Sequence, residues 1–242
     1  WEESDYLFAE SEDVNNLDVI ELPQAVKQKL LELKPDLLEE IETKREPKLF
    51  PYQKPAKDSW INHGGRGIFA MATGTGKTIV AIHCIKEISR TNKKLFVVIA
   101  CPTNTLVNQW SRELKQKFDL DSNDSRGGHT DWKSKLQKII NNPELGRESN
   151  NIEIFITTYN TNSNPEFISK IKQIGIPKMF VGDEVHSVGS ETYRKGLLEQ
   201  YQYRLGLSAT PERYFDDVGS LVISKFFKPQ VDCNNCHEKS TV

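Results

Sequence analysis

The sequence predicts an α/β domain: strands alternating with helices around a mostly parallel sheet, with a phosphate-binding loop after an early strand. Three observations predict it. The octet Met71-Ala72-Thr73-Gly74-Thr75-Gly76-Lys77-Thr78 lies between the apolar run Gly67–Ala70 and the apolar run Ile79–Ile85. Strand, glycine-rich turn and helix is the context such a loop requires. A second apolar run, Lys178–Gly182, leads directly into Asp183 and Glu184. Between and around these, short apolar runs alternate with amphipathic stretches of helical period, the pattern of βαβ units. Such units cross over right-handedly and bind ligands at the carboxyl ends of their strands.

The elements follow in order. Residues 1–46 read as a separate, short helical extension. Trp1 to Glu21 is acidic, with scattered Leu, Val, Tyr and Phe. Pro23 then opens an amphipathic helix, Gln24–Leu33, with proline in the first turn. Pro35 starts a second helix, Asp36–Arg45. This extension is either a helical hairpin packed on a neighbouring domain or an arm that docks a protein partner. The α/β domain spans 47–230. It is expected to hold helices at Tyr52–Asn62, after Lys77, and at Thr105–Phe118, Asp131–Ile140, Pro165–Ile174 and Glu191–Tyr201. Its strands are expected at Gly67–Ala70, Leu95–Ala100, Ile152–Thr157, Lys178–Asp183 and Tyr203–Leu207. Asp119–Thr130 and Asn141–Asn151, rich in Asp, Ser, Asn and Gly, read as exposed loops. Residues 231–242 are a tail or the start of a further module.

The loop residues carry a definite chemistry. Gly74 and Gly76 let successive backbone N–H groups turn toward phosphate oxygens, and the following helix adds its positive end. Lys77 would reach the β- and γ-phosphates, and the Thr78 hydroxyl would ligate Mg²⁺. The nucleotide set is therefore Thr73, Gly74, Thr75, Gly76, Lys77 and Thr78. Met71 stands where the general pattern has its first glycine, so the loop is a variant. Two adjacent acids after a strand are, alone, a common solvated turn. Downstream of a phosphate loop they read as a metal carboxylate, Asp183, and a base that polarises the attacking water, Glu184. Lys77, Asp183 and Glu184 make up the catalytic set.

Composition excludes other classes. With 37% hydrophobic and 27% charged residues in 242, the chain is neither disordered nor membranous, and no signal-peptide pattern opens it. A net charge of −2 gives no broad basic surface. That does not exclude nucleic acid, because backbone phosphates are also gripped by hydroxyls and amides. Cys84 and Cys101 fall in apolar segments and read as small core residues. Cys233-Asn234-Asn235-Cys236-His237 matches a haem-attachment pattern, half of a zinc site, or an uncommitted polar tail.

At this point the chain resembles a known family, the superfamily 2 helicases and translocases. Pro102–Trp110 resembles motif Ia, and Phe155–Tyr159 is similar to the segment carrying Thr-Thr-Tyr. Asp183-Glu184-Val185-His186 resembles motif II, and Leu207-Ser208-Ala209-Thr210-Pro211 resembles motif III. Leu49-Phe50-Pro51-Tyr52-Gln53 resembles the element whose glutamine, here Gln53, recognises adenine. The Asp-Glu-Val-His form, with Arg126-Gly127-Gly128 before Trp132, is most similar to the XPB-like branch and to restriction-enzyme motor subunits.

The resemblance implies the first RecA-like P-loop NTPase domain of a motor that uses ATP and Mg²⁺ and moves on DNA, duplex in preference to RNA. It places strand contacts at Thr103, Asn104 and Thr158, residues that serve equally as helix caps. It places coupling between nucleotide and strand at His186, Ser208 and Thr210. It implies a second RecA-like domain, which supplies an arginine finger that neither Arg204 nor Arg213 is placed to replace. Too few residues follow Pro211 for that domain, and residue 1 is Trp, so the chain reads as part of a longer protein. The expected setting is the cytoplasm, or the nucleus of a eukaryote, with no membrane partner. The rival expectation is a nucleotide-gated scaffold that docks partners without motor activity.

Overall fold

Seven consecutive apolar residues, Leu95–Cys101, can be stable as a strand only if both faces are covered. That is the condition of a parallel sheet between two helical layers. The computed structural model meets it, and it describes residues 6–9, 18–21, 46–124, 131–141, 152–209 and 216–228. Two compact units are present, residues 1–46 and 47–242.

In the first unit, β1 (Tyr6–Ala9) pairs antiparallel with β2 (Asp18–Glu21), Tyr6 opposite Glu21. The sequence reading contained no strand there, because the pairing joins two short runs across an acidic stretch. The two expected helices, 24–33 and 36–45, lie outside the described residues.

In the second unit the elements run α1 (Gln53–Asn62), β3 (Arg66–Ala70), α2 (Lys77–Thr91), β4 (Leu95–Cys101), α3 (Asn104–Phe118) and β5 (Asn123–Asp124). They continue with α4 (Asp131–Asn141), β6 (Ile152–Thr158), α5 (Tyr159–Asn162), α6 (Pro165–Gln173), β7 (Lys178–Asp183), β8 (Tyr203–Ser208) and α7 (Asp217–Phe227). Strands β3 to β8 form one parallel sheet in the order β3-β8-β7-β4-β6-β5.

Strand periodicity of two sorts the core into halves. Leu95, Val97, Ile99 and Cys101 of β4 face one layer, packed with Val80, Ile82 and Ile85 of α2 and Val107, Trp110 and Leu114 of α3. Phe96, Val98 and Ala100 face the other, with Leu136 of α4, Phe167 and Ile171 of α6, and Ile223 and Phe226 of α7. On β7 the same alternation puts Met179 and Val181 in the first layer and Phe180 in the second. Asp183, two residues past Val181, therefore points to the layer of α2 and α3.

Three differences from expectation have physical causes. The helix expected at Glu191–Tyr201 is only a 3-10 turn, Tyr193–Gly196. Gly196 is pressed against Asn162, where a Cβ would approach that side chain at 2.1 Å, so the chain turns tightly there instead of continuing. Asn123–Asp124, inside the expected loop 119–130, adds a short edge strand to β6, with Asn123 Nδ2 donating to Glu153 Oε1 at 2.6 Å. Helix α7 was not expected. Asp216 caps it by accepting from Gly219 N at 2.7 Å, and Phe226 and Phe227 bury its last turn. No described helix is long and apolar enough to cross a membrane.

Candidate active site

The sheet register assembles the site. Ala70 of β3 pairs with Ser208 of β8, Asp183 of β7 pairs with Leu207, and Thr158 of β6 pairs with Cys101 of β4. The phosphate loop, the Asp-Glu pair, Ser208 and Thr158 thus emerge along one edge of one sheet. The other strand-contact candidates, Thr103 and Asn104, leave the end of β4 at the same edge.

The loop leaves β3 tied to its neighbour, since Met71 N donates to Ser208 O at 3.1 Å. Gly74 and Gly76 have φ of +81° and +77°, the left-handed region that L side chains rarely enter. Gly76 is the N-cap of α2, so Lys77 and Thr78 are its first two residues. Lys77 Nζ donates to Met71 O at 2.9 Å and Ala72 O at 3.1 Å, which holds the ammonium against its own loop. Thr75 Oγ1 donates to Ala72 O at 2.6 Å and closes the turn. Thr73 is exposed on it.

Gln53 is 1% exposed and is bonded into this loop. Its Nε2 donates to Thr75 O at 2.8 Å, and its Oε1 accepts from Phe50 N at 2.9 Å. Tyr52 OH donates to the same Thr75 carbonyl at 2.9 Å. The glutamine expected at adenine thus holds the phosphate loop to the start of α1. Phe50 and Tyr52 stack nearly parallel beside it, ring centres 5.8 Å apart, both largely exposed.

Asp183 is 8% exposed and clamped from both layers of the domain. From the first layer, Trp110 Nε1 of α3 donates to Asp183 Oδ2 at 2.8 Å. From the second, Tyr159 OH donates to the Asp183 carbonyl at 2.6 Å. Gly182 permits that approach, since a Cβ there would crowd Tyr159 OH at 3.2 Å. Burial lifts the Asp183 carboxyl above the usual carboxylate range, and neighbouring Glu184 adds to the lift. The Trp110 donor, the Glu184 amide and Lys77 oppose it. A buried carboxylate at the end of β7, separated by β8 alone from the strand that leads to a lysine and a threonine hydroxyl at a helix N-terminus, is a donor set that suits Mg²⁺ with a triphosphate. Among the described residues no cluster of three His, Cys, Asp or Glu that could hold a metal ion is present. Cys233, Cys236 and His237 lie outside them.

Glu184 follows with φ 49° and ψ 55°, a left-handed conformation that a non-glycine residue adopts at a cost. Strain of this kind concentrates at functional positions. His186 Nδ1 lies 3.4 Å from Glu184 Oε2 and 3.4 Å from Ser208 Oγ, linking the acid to the last residue of β8. Thr210, its expected companion, lies outside the described residues, as do Arg126–Gly128 and Arg213.

The strand-contact candidates are helix caps. Thr103 Oγ1 accepts from Leu106 N at 3.3 Å at the start of α3, and Thr158 Oγ1 accepts from Thr161 N at 3.4 Å at the start of α5. Asn104 is exposed as the first residue of α3. Arg204 is buried at 2% exposure in the second layer, far too enclosed to act as a finger. Trp110 and Tyr159 are what sequence reasoning missed. Both stood inside recognised segments, yet nothing local tells that either reaches a residue 73 or 24 positions away.

The chain is similar to known proteins. The model of the family described as the type III restriction enzyme, res subunit, matches residues 46–213. The DNA 3'-5' translocase XPB2 of Sulfurisphaera tokodaii is 29% identical over 164 residues, covering 67% of this chain and 30% of that protein. Among solved structures, a nuclease-deletion mutant of the type ISP restriction-modification enzyme LlaGI, in complex with a DNA substrate mimic, aligns with a TM-score of 0.56. It is 24% identical and covers 71% of this chain and 19% of that one. The SWI2/SNF2 ATPase core of Sulfolobus solfataricus, in complex with dsDNA, aligns with a TM-score of 0.55 at 20% identity, covering 77% of this chain and 37% of that one. The chain thus spans under a third of the curated relative it matches. With over half its length matched by the family model, the chain belongs to the family of the type III restriction enzyme res subunit, and its fold is that of a superfamily 2 helicase motor domain.

Proposed function

We propose that the chain is the ATP-binding half of an ATP-dependent DNA translocase or helicase, hydrolysing ATP in order to move on duplex DNA. The observation that carries this reading is the convergence of Lys77, Thr78, Asp183 and Glu184 at one edge of the sheet, with His186 bridging Glu184 to Ser208. Lys77, released from Met71 and Ala72, pairs with the β- and γ-phosphates, and the amides after Gly74 and Gly76 cradle them. Thr78 and Asp183 hold Mg²⁺, which when bound neutralises charge developing on the phosphates. Glu184 accepts a proton from the attacking water. Thr103, Asn104 and Thr158, at the same edge, contact the DNA backbone. The names of the relatives, a DNA translocase, a restriction-modification enzyme solved with a DNA substrate mimic and an ATPase core solved with dsDNA, support DNA as the track.

His186 is the proposed link between hydrolysis and movement. One Nδ1 faces both Glu184 and Ser208 at the same distance, so a shift of either segment changes which of them it serves. A second RecA-like domain completes the cleft and supplies an arginine to the transferring phosphoryl group.

Glu184→Gln in the complete natural protein tests the division of labour. ATP binding should survive, because Asp183 and Lys77 are intact, while turnover should fall by about 10²- to 10⁴-fold, the usual worth of a positioned base. Equilibrium binding of ATP alongside single-turnover hydrolysis reads both. Loss of ATP binding with unchanged hydrolysis per bound ATP would refute the assignment of Glu184 as base.

A further inference from the structure

We propose that Trp110 is a positioning residue for the metal site: its indole N–H fixes the rotation of the Asp183 carboxylate and so sets the affinity for the divalent cation. The inference rests on the reading of Asp183 as the metal carboxylate. A carboxylate at the end of a strand turns about its own side-chain bonds unless something holds it. Here Oδ2 is held by Trp110 Nε1 at 2.8 Å and Oδ1 by the following amide, Glu184 N, at 3.0 Å. The amide holds one oxygen only, and the indole is the side-chain donor that holds the other.

The indole comes from a rigid element. Trp110 is 1% exposed, in the middle of α3, among the buried residues Val107, Leu114 and Phe118. That helix is fixed at one end by Thr103 and at the other by Asp119 and Leu120, whose amides donate back to Lys115 O at 3.2 Å and Leu114 O at 3.0 Å. Among the large hydrocarbon-like side chains only tryptophan also donates an N–H deep in the core. Partners of this kind, which orient a metal-binding group without touching the ion, commonly change metal affinity by about 10- to 100-fold. The opposing reading is that the buried indole needs an acceptor and Asp183 merely supplies one. The two readings differ in what happens to the ion.

The experiment uses the complete natural protein and two replacements of Trp110. Trp110→Phe removes the donor and part of the volume. Substitution by 3-benzothienylalanine keeps the shape and puts sulfur where the N–H was, so it carries the test where Trp110→Phe does not fold. Binding of Mn²⁺ is titrated by electron paramagnetic resonance with a saturating non-hydrolysable ATP analogue. Thermal midpoints are recorded in parallel, and Asp183→Asn is the control. The expected result is a metal dissociation constant raised about tenfold in both Trp110 proteins, with metal-free analogue binding unchanged. The thermal midpoint should fall further for Trp110→Phe than for the isostere, because only the former also loses volume. Parental Mn²⁺ affinity in the isostere, with affinity lost in Asp183→Asn, overturns the role of Trp110 and leaves the site intact. Parental affinity in Asp183→Asn itself overturns the reading of the site, and this inference with it.

Discussion

Asp183 and Arg204 are both buried charges on the adjacent strands β7 and β8, yet the protein treats them in opposite ways. Arg204 is quenched. Its Nε donates to Tyr201 O at 2.9 Å, one terminal nitrogen to Phe226 O at 3.0 Å, and the other to Glu199 O at 3.0 Å and Glu199 Oε2 at 2.8 Å. Its plane also lies over the Phe226 ring, 4.2 Å from the centre. Asp183 is gripped by neutral donors and lifted above its ordinary pKa. A buried charge that serves the fold has its polar atoms matched, because an unmatched one costs several kcal/mol. A buried charge that serves a cation is held in place and left short of positive charge, so that the ligand completes it. The same contrast runs through the backbone: Glu184, beside Asp183, carries φ of 49°, and no such residue flanks Arg204.

The sharpest way to break the comparison is to remove the quenched charge. Arg204→Met replaces the apolar stem of the side chain but leaves the carbonyls of Tyr201, Phe226 and Glu199 without their donor. Each such loss costs about 1–3 kcal/mol, and partial access of water to Glu199 keeps the sum near the low end, about 3 kcal/mol. Urea unfolding should show that loss, while nucleotide affinity per folded molecule stays as in the parent. A fall in affinity without a fall in stability would mean that Arg204 works for the site after all.

Lys77→Ala is the mirror experiment. Among the described residues the ammonium bonds to carbonyls of its own surface loop, where water replaces it, so unfolding free energy should move by under about 0.5 kcal/mol. A charge-assisted bond to phosphate is worth about 1.5–3 kcal/mol, and ATP affinity should drop accordingly, about 10- to 100-fold. Calorimetric titration with ATP and Mg²⁺ measures it. Stability lost with affinity retained would erase the distinction between the two regions.

What the sequence made legible follows the same divide. Strands β3, β4, β7 and β8 and the loop between β3 and α2 could be read because apolar period and glycine placement are local signals. Asp183 and Glu184 were readable for the same reason, since they end a strand whose pattern is unbroken. The supports were not. Trp110 looks like one more apolar position of α3, and Tyr159 like the last residue of a segment, until the sheet brings β4, β6 and β7 side by side. Gln53 was read for adenine, and its hold on Thr75 O needs the fold to be seen. The helix expected at Glu191–Tyr201 failed because its stop, the contact of Gly196 with Asn162, is made across 34 residues. Local rules locate chemistry, and tertiary pairing decides what steadies it.

The mildest test separates the two kinds of partner that quench Arg204. Glu199 meets the guanidinium at 2.8 Å, but its side chain is 87% exposed while that of Arg204 is 2% exposed. The hydrogen bond from Arg204 comes first among the causes that hold the Glu199 carboxyl below its usual range, with the charges of Arg204, Arg66 and Lys225 adding to it. A carboxyl whose pKa is depressed by folding stabilises the fold above its unfolded pKa. That stabilisation is lost as pH falls through the folded value. Because water screens so exposed a partner, Glu199→Gln should cost under about 1 kcal/mol at neutral pH. The difference from the parent should shrink with added salt and close in acid once Glu199 is protonated in both states. Urea unfolding at neutral pH and in acid checks this. A cost above about 2 kcal/mol at neutral pH that closed only in acid would show that the carboxylate side chain, rather than the three carbonyls, is what Arg204 needs, and its burial would then rest on an ion pair that water should have weakened.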